Sequence, residues 1–169
     1  MEGTNPGFLY QQNSMRDAVL ASINLNLFNL NSDRVKMANI AQMVNVLQAI
    51  VLTEGEKMVL TPTYHVFDMF KEHMEATLVY SNIENKQLVE GEYLPAVSQS
   101  VSVDDEGKMH ITISNASLDE DFEIDCVMPR TDFKSATARV LTAEYNKCNT
   151  FEEPNAVAPK TCDCVKLDG

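Results

Sequence analysis

The stretch DRVKMANIAQMVNVLQ, residues 33–48, decides the fold. Its first part, VKMANIAQ at 35–42, reads as a strand. By the two-residue period of an extended chain, Lys36, Ala38, Ile40 and Gln42 share one side, and Val35, Met37, Asn39 and Ala41 the other. Both sides are largely apolar. That is the pattern of a strand covered on both faces, which belongs to a parallel sheet or barrel. Asn39, Gln42, Asn45 and Gln48 interrupt it. A buried amide without partners costs about 1–3 kcal/mol, so each needs a partner or a use. Asn39 is assigned a structural role. Asn45 and Gln48 fall past the strand, where amides hold irregular backbone. Gln42 stands at the strand's end. An amide there donates and accepts at once, which suits neighbouring loop backbone or a sugar hydroxyl, and the residues alone leave both readings open.

Upstream, Ser14 with Asp17 three residues on forms a shortened capping box. Val19, Leu20, Ile23, Leu27 and Leu30 follow at helical spacing, which predicts a helix over 14–29 with that stripe inward. NLNSD at 29–33 ends it. Downstream, AIVLTEGEKMVL at 49–60 predicts a hairpin around Glu54-Gly55. Thr61-Pro62 opens a second helix, with Pro62 where its missing N–H costs nothing. Tyr64, Phe67, Met69, Phe70 and Met74 give that helix its apolar face.

Near residue 76 the pattern changes to alternation and turns. Strands are predicted at 77–83, 96–104, 108–116, 121–129 and 136–144, with Asp105-Glu106-Gly107 as a hairpin turn. Short strands with regular turn signals suggest an antiparallel sandwich. Helix, strand and helix before residue 75 make one β/α rhythm, and a closed barrel typically needs about 250 residues. The expected architecture is α/β plus all-β. Residues 1–75 supply the last strand and helices of a TIM barrel, and residues 76–169 an antiparallel, jelly-roll-like β-sandwich. The whole is expected to be incomplete at both ends, because Leu167-Asp168-Gly169 reads as a turn with no strand after it.

Composition narrows the function. With 13 Lys+Arg against 25 Asp+Glu, the net charge is −12, which argues against nucleic acid or an anionic membrane as partner. No apolar run is long enough to span a bilayer, and the N-terminus lacks the basic and apolar regions of a signal peptide. A cytoplasmic location is expected. The acid-rich runs VDDEG and LDEDFEID lack the spaced ligands and glycine of a calcium loop and read as a solvated surface. Cys126, Cys148, Cys162 and Cys164 include one C-x-C pair, too close for the usual zinc spacing, and are expected to be reduced. On a strand, Cys162 and Cys164 would share a face.

Self-sufficient catalysis finds no support in the residues. There is no G-x-S-x-G elbow and no G-x-G-x-x-G phosphate loop. His65 and His73 lie two turns apart, and His110 alternates within a strand as a surface or cross-strand residue. No carboxylate stands at the end of the 35–42 strand, and Glu54 belongs to a solvated turn. No cofactor or metal is expected.

GTNPGFLYQQNSMRDA (3–18), DRVKMANIAQMVNVLQAIVLTEGEKM (33–58) and LTPTYHVFDMFKEHM (60–74) resemble the C-terminal third of the α-L-arabinofuranosidases of glycoside hydrolase family 51. The resemblance is nearly continuous over 3–75 and looser over 76–169. It implies a (β/α)₈ barrel with a jelly-roll-like sandwich and retaining hydrolysis of terminal α-L-arabinofuranosyl units from arabinan or arabinoxylan. One glutamate serves as acid/base and another as nucleophile. Neither glutamate motif is present; both fall upstream, so no catalytic residue is assigned here. Gln42 matches the family glutamine that lines the arabinose subsite from the eighth strand. Tyr10 and Gln11, in the loop after the seventh, are candidate contacts. The isolated chain is expected to be inactive, its parent to bind an arabinofuranosyl oligosaccharide or polysaccharide, and the assembly to be a homo-oligomer. The competing reading is a non-catalytic carbohydrate-binding or assembly β-domain, against which stand the absence of Trp and the scattering of Tyr80, Tyr93 and Tyr145.

Overall fold

A computed structural model describes residues 13–40, 43–90, 93–129 and 131–167. Helix α1 spans Met15–Leu30. Its start is built locally: Asp17 Oδ2 accepts from the Ser14 N–H at 2.9 Å and from the Ser14 hydroxyl at 3.1 Å. The next orphan donors are met from far along the chain. Met15 N–H donates to the Lys147 carbonyl at 2.9 Å, and Arg16 N–H to the Tyr145 carbonyl at 2.8 Å. Ser14 also bridges to Cys148.

Strands β1 (Val51–Glu54) and β2 (Lys57–Leu60) form the expected hairpin, pairing Val51 with Leu60 and Glu54 with Lys57. Gly55 turns it at φ 58°, a conformation glycine adopts without a Cβ penalty. Helix α2 (Pro62–Phe70) follows, capped by the Thr61 hydroxyl and begun by Pro62, and tightens into a 3₁₀ turn at Lys71–His73. Strands β3 (Thr77–Leu78), β4 (Val97–Val103) and β5 (Met109–Asn115) form an antiparallel sheet in that order. Gly107 (φ 79°) lies in the predicted turn between β4 and β5. Strands β6 (Ala138–Val140) and β7 (Lys160–Cys162) make a separate antiparallel pair.

Met15, Ala18, Leu25, Val66 and Val157 form the core, so α1 and α2 pack on each other and on the late segment around Val157. Asn149 fixes that segment. Its amide donates to the carbonyls of Leu60 (2.8 Å) and Val157 (2.9 Å), and its oxygen accepts the Val157 N–H at 2.7 Å. Among the described residues no helix is long and apolar enough to cross a membrane.

Several expectations are corrected. Residues 35–40 form no ladder, and Met37 is 76 % exposed with Asn39 also open. A strand exists through its neighbours, and the described chain places none beside this segment; only Val44, just beyond, makes a parallel bridge to Val51. The stripe expected to face inward on α1 does so only in part: Val19 packs on the core and Ile23 is half-buried, but Leu20 is 60 % and Leu27 55 % exposed, and Leu30 is open too. Met15, Ala18 and Leu25 are buried instead. The strand expected at 77–83 is a ladder only at Thr77–Leu78, although Val79 N–H still reaches the Val101 carbonyl at 2.9 Å. Residues 121–129 form no strand. Cys162 and Cys164, expected to be reduced, are joined in a disulfide across a Cα–Cα distance of 5.2 Å; Cys126 and Cys148 are free.

Candidate functional site

Gln42, Tyr10 and Gln11 lie outside the described residues. The frame immediately after Gln42 is described, and it accounts for two of the four amides. The Met43 carbonyl accepts from both Ile50 and Val51 N–H at 3.1 Å, folding the chain back onto the start of β1. The bend passes through two left-handed residues, Asn45 at φ 54° and Gln48 at φ 56°. Asn45 binds Thr53 from both ends of its amide: Oδ1 accepts the Thr53 N–H at 2.7 Å, and Nδ2 donates to the Thr53 hydroxyl at 2.9 Å and carbonyl at 3.2 Å. Gln48 Nε2 donates to Asp17 Oδ1 at 3.2 Å, tying the bend to the first turn of α1. Burial pushes the Asp17 carboxyl up. The Ser14 N–H, the Gln48 amide, the Ser14 hydroxyl and the nearby Arg16 outweigh it and hold the group below the usual carboxylate range. Asn45 and Gln48 thus hold irregular backbone, and Asn39 is exposed.

The arrangement anchors Met43 to the start of β1. It offers no acid pair of its own: Glu54 is exposed on the hairpin opposite Lys57. Among the described residues, no group of three or more His, Cys, Asp or Glu could hold a metal ion. Three buried polar atoms lack a hydrogen-bond partner there: Asn13 Oδ1, Thr63 Oγ1 and His65 Nε2. Burial also lowers the His65 pKa, against the pull of Asp68.

A second polar assembly joins α1 to the sheet. Asn26, fully buried, donates to the hydroxyls of Ser98 and Ser114 at 3.1 Å each, and accepts from Ser100 at 2.8 Å and Thr112 at 2.7 Å. Asn29 donates to Ser100 at 3.0 Å. His73 extends the chain, with Nδ1 2.7 Å from Ser102 Oγ and Nε2 3.1 Å from Thr112 Oγ1. His110 Nε2 lies 2.9 Å from Asp104 Oδ2, and that hydrogen bond holds the Asp104 carboxyl below its usual range. His73 lies on the 3₁₀ turn that ends the second helix, and His110, expected as a surface or cross-strand residue, sits on β5 and bonds Asp104. The signal was present as polar residues at a period of two: Ser98, Ser100 and Ser102 in β4, and His110, Thr112 and Ser114 in β5. A cavity of about 30 Å³ lies beside Ser102 and His73, bounded by Asn29 and Leu78.

Residues 2–169 match the family model described as the alpha-L-arabinofuranosidase C-terminal domain. An intracellular exo-alpha-L-arabinofuranosidase of Bacteroides ovatus is 44 % identical over 169 residues, covering 98 % of this chain and 33 % of that protein. The crystal structure of the GH51 arabinofuranosidase from Xanthomonas axonopodis pv. citri superposes with a TM-score of 0.76 at 40 % identity, over 96 % of this chain and 34 % of that one. The alpha-L-arabinofuranosidase from Thermotoga maritima, solved as an arabinose complex, gives 0.82 at 26 % identity, over 94 % and 36 %. The chain therefore spans about a third of the length of these relatives.

Proposed function

Because the chain belongs to the alpha-L-arabinofuranosidase C-terminal domain family, we propose that it is the C-terminal part of a retaining, exo-acting α-L-arabinofuranosidase. The parent removes terminal non-reducing α-L-arabinofuranosyl residues from arabinan or arabinoxylan. Its acid/base and nucleophile glutamates belong to the part of the protein outside this chain. The observation that carries this reading is the 44 % identity to one third of an exo-acting relative. Residues 1–75 are read as the closing elements of the catalytic barrel and 76–169 as the C-terminal sandwich. The outward Leu20, Leu27 and Leu30 and the open Met37, Met43 and Val44 support a helical half whose remaining neighbours lie in that other part.

In this reading residues 35–42 become a strand when the preceding staves pair with them, and Gln42 meets a sugar hydroxyl at its end. Tyr10 and Gln11 approach the same subsite from the loop before α1. The bend clamped by Asn45 and Gln48 sets where Gln42 stands, so it serves as positioning structure. The naming of the Bacteroides ovatus relative as intracellular supports a cytoplasmic place of action, and assembly as a homo-oligomer completes the reading.

The 169-residue chain alone will release no p-nitrophenol from p-nitrophenyl α-L-arabinofuranoside; turnover by pure protein would refute the placement of the chemistry elsewhere. In the complete protein, Gln42→Ala will lower kcat/KM about 10-fold or more, the worth of one hydrogen bond that strengthens as the sugar reacts. An unchanged value removes Gln42 from the subsite.

A further inference from the structure

We propose that Cys162 and Cys164 form a reversible dithiol–disulfide site that sets the length of the β6–β7 pair. Oxidised, it stops the ladder at Cys162. Reduced by a small thiol, it lets the ladder run on by two residue pairs.

The ladder sets Val140 opposite Lys160, Arg139 opposite Thr161 and Ala138 opposite Cys162, and goes no further. The same register, continued, places Thr137 opposite Asp163 and Ala136 opposite Cys164. Nothing local forbids these pairs. Neither 135–137 nor 163–166 contains Pro or Gly, and Thr137 and Val165 are residues that strands favour. Alternation in the sequence predicts a strand that already begins at 136. Residues 136–137 and 163–166 are exposed, and no ladder takes up either stretch. Room for the sulfurs is also present: Cys162 faces Ala138, and in the continued register Cys164 faces Ala136.

What stops the ladder is the bond. In an extended strand, residues two apart lie about 6.4–6.8 Å from one another. Cys162 and Cys164 stand 5.2 Å apart at Cα, so the chain is drawn in at Asp163 and leaves the strand path. Ring closure and ladder extension therefore compete for the same residues. The ring encloses Asp163 alone. A tie across one intervening residue removes little freedom from the unfolded chain, so breaking it leaves the remainder of the fold in place.

Cys164 is exposed and Cys162 half-buried, so an incoming thiolate reaches the Cys164 sulfur. A bond forms between the reagent and Cys164, the Sγ–Sγ bond breaks, and Cys162 leaves as a thiolate that takes up a proton. A second thiol group attacks the reagent's sulfur in that mixed disulfide, and Cys164 leaves and is protonated in turn. Two small thiol groups become one disulfide, and the protein gains two electrons and two protons. A small disulfide reverses the exchange. Cys126, free and exposed in the oxidised chain, is the internal standard for labelling.

The test compares the air-oxidised 169-residue chain with the same chain reduced by dithiothreitol. Alkylation with iodoacetamide followed by trypsin releases peptide 161–166, which holds both cysteines. From the oxidised chain it should carry no alkyl group while Cys126 is fully labelled; from the reduced chain it should carry two. Amide hydrogen exchange at 136–137 and 163–164 should slow about fivefold or more on reduction, the worth of one net hydrogen bond. Cys164→Ser should show the slow exchange with or without thiol. Thr137→Pro, at an exposed position outside the ladder, should lose the slowing and keep the alkylation pattern. Two alkyl groups on peptide 161–166 from the air-oxidised chain overturn the proposal, as does exchange at 136–137 and 163–164 that reduction leaves unchanged. Should either variant fail to fold, the exchange difference between the two states of the unaltered chain decides the matter.

Discussion

Asn26 makes four hydrogen bonds with its four amide positions, two given and two received, while wholly buried. Removing such a group leaves four hydroxyls to find other partners inside a closed seam. Asn26→Ala should therefore cost about 3 kcal/mol, read as a lower urea midpoint of the 169-residue chain. Asn26→Asp exchanges the two donors for an acceptor and should cost at least as much at neutral pH. A change within about 0.5 kcal/mol for either variant would show that the network adds nothing to stability. The contrast with Asp17 shows what a sequence discloses at this scale. Asp17 caps Ser14 within one turn, and spacing alone predicts the pair. Asn26 binds Ser114 across a sequence separation of 88, and no local pattern around residue 26 announces it. Gln48 is intermediate: its role in irregular backbone was legible, but its partner, Asp17, was not.

The elements follow the same division. Both helices, both hairpin turns and strands β4 and β5 stand close to where their periods and caps put them, because those signals are local. Residues 35–40 and 121–129 do not, because a strand is defined by the chain beside it. Helix α1 was placed correctly and its stripe oriented only in part. It carries apolar residues on two sides: Val19 packs on the core, and periodicity alone joined to it Leu20, Leu27 and Leu30 on a side that this chain leaves open. That open side has a measurable consequence. Exposed leucines a turn or two apart on one helix favour association of copies. The double variant Leu20→Glu with Leu27→Glu should shift the isolated chain towards monomer in sedimentation velocity while leaving its thermal midpoint within a few degrees. Equal association by both proteins would place the sticky surface elsewhere.

At the scale of the whole molecule, the late chain closes over the early chain. Lys147 and Tyr145 complete the first turn of α1, and Asn149 binds the end of β2 and Val157 together. The stretch 119–127, by contrast, is mostly exposed and has no ladder. A single proteolytic cut there should leave two pieces that elute together under native conditions and separate in urea. Pieces that part without denaturant would mean that the closure is weak. The candidate subsite rests on family resemblance alone, since Gln42 on its own reads more readily as loop support.

Helix α1 starts at a serine near the beginning of the chain, yet its opening N–H groups wait for carbonyls that arrive only after residue 144. Closing so long a loop is entropically slow, and topologies rich in distant pairings fold slowly. The helix can nucleate early from its own capping pair, but its first turn can be secured only in the last stage of folding. The order of assembly is thus written into two backbone hydrogen bonds.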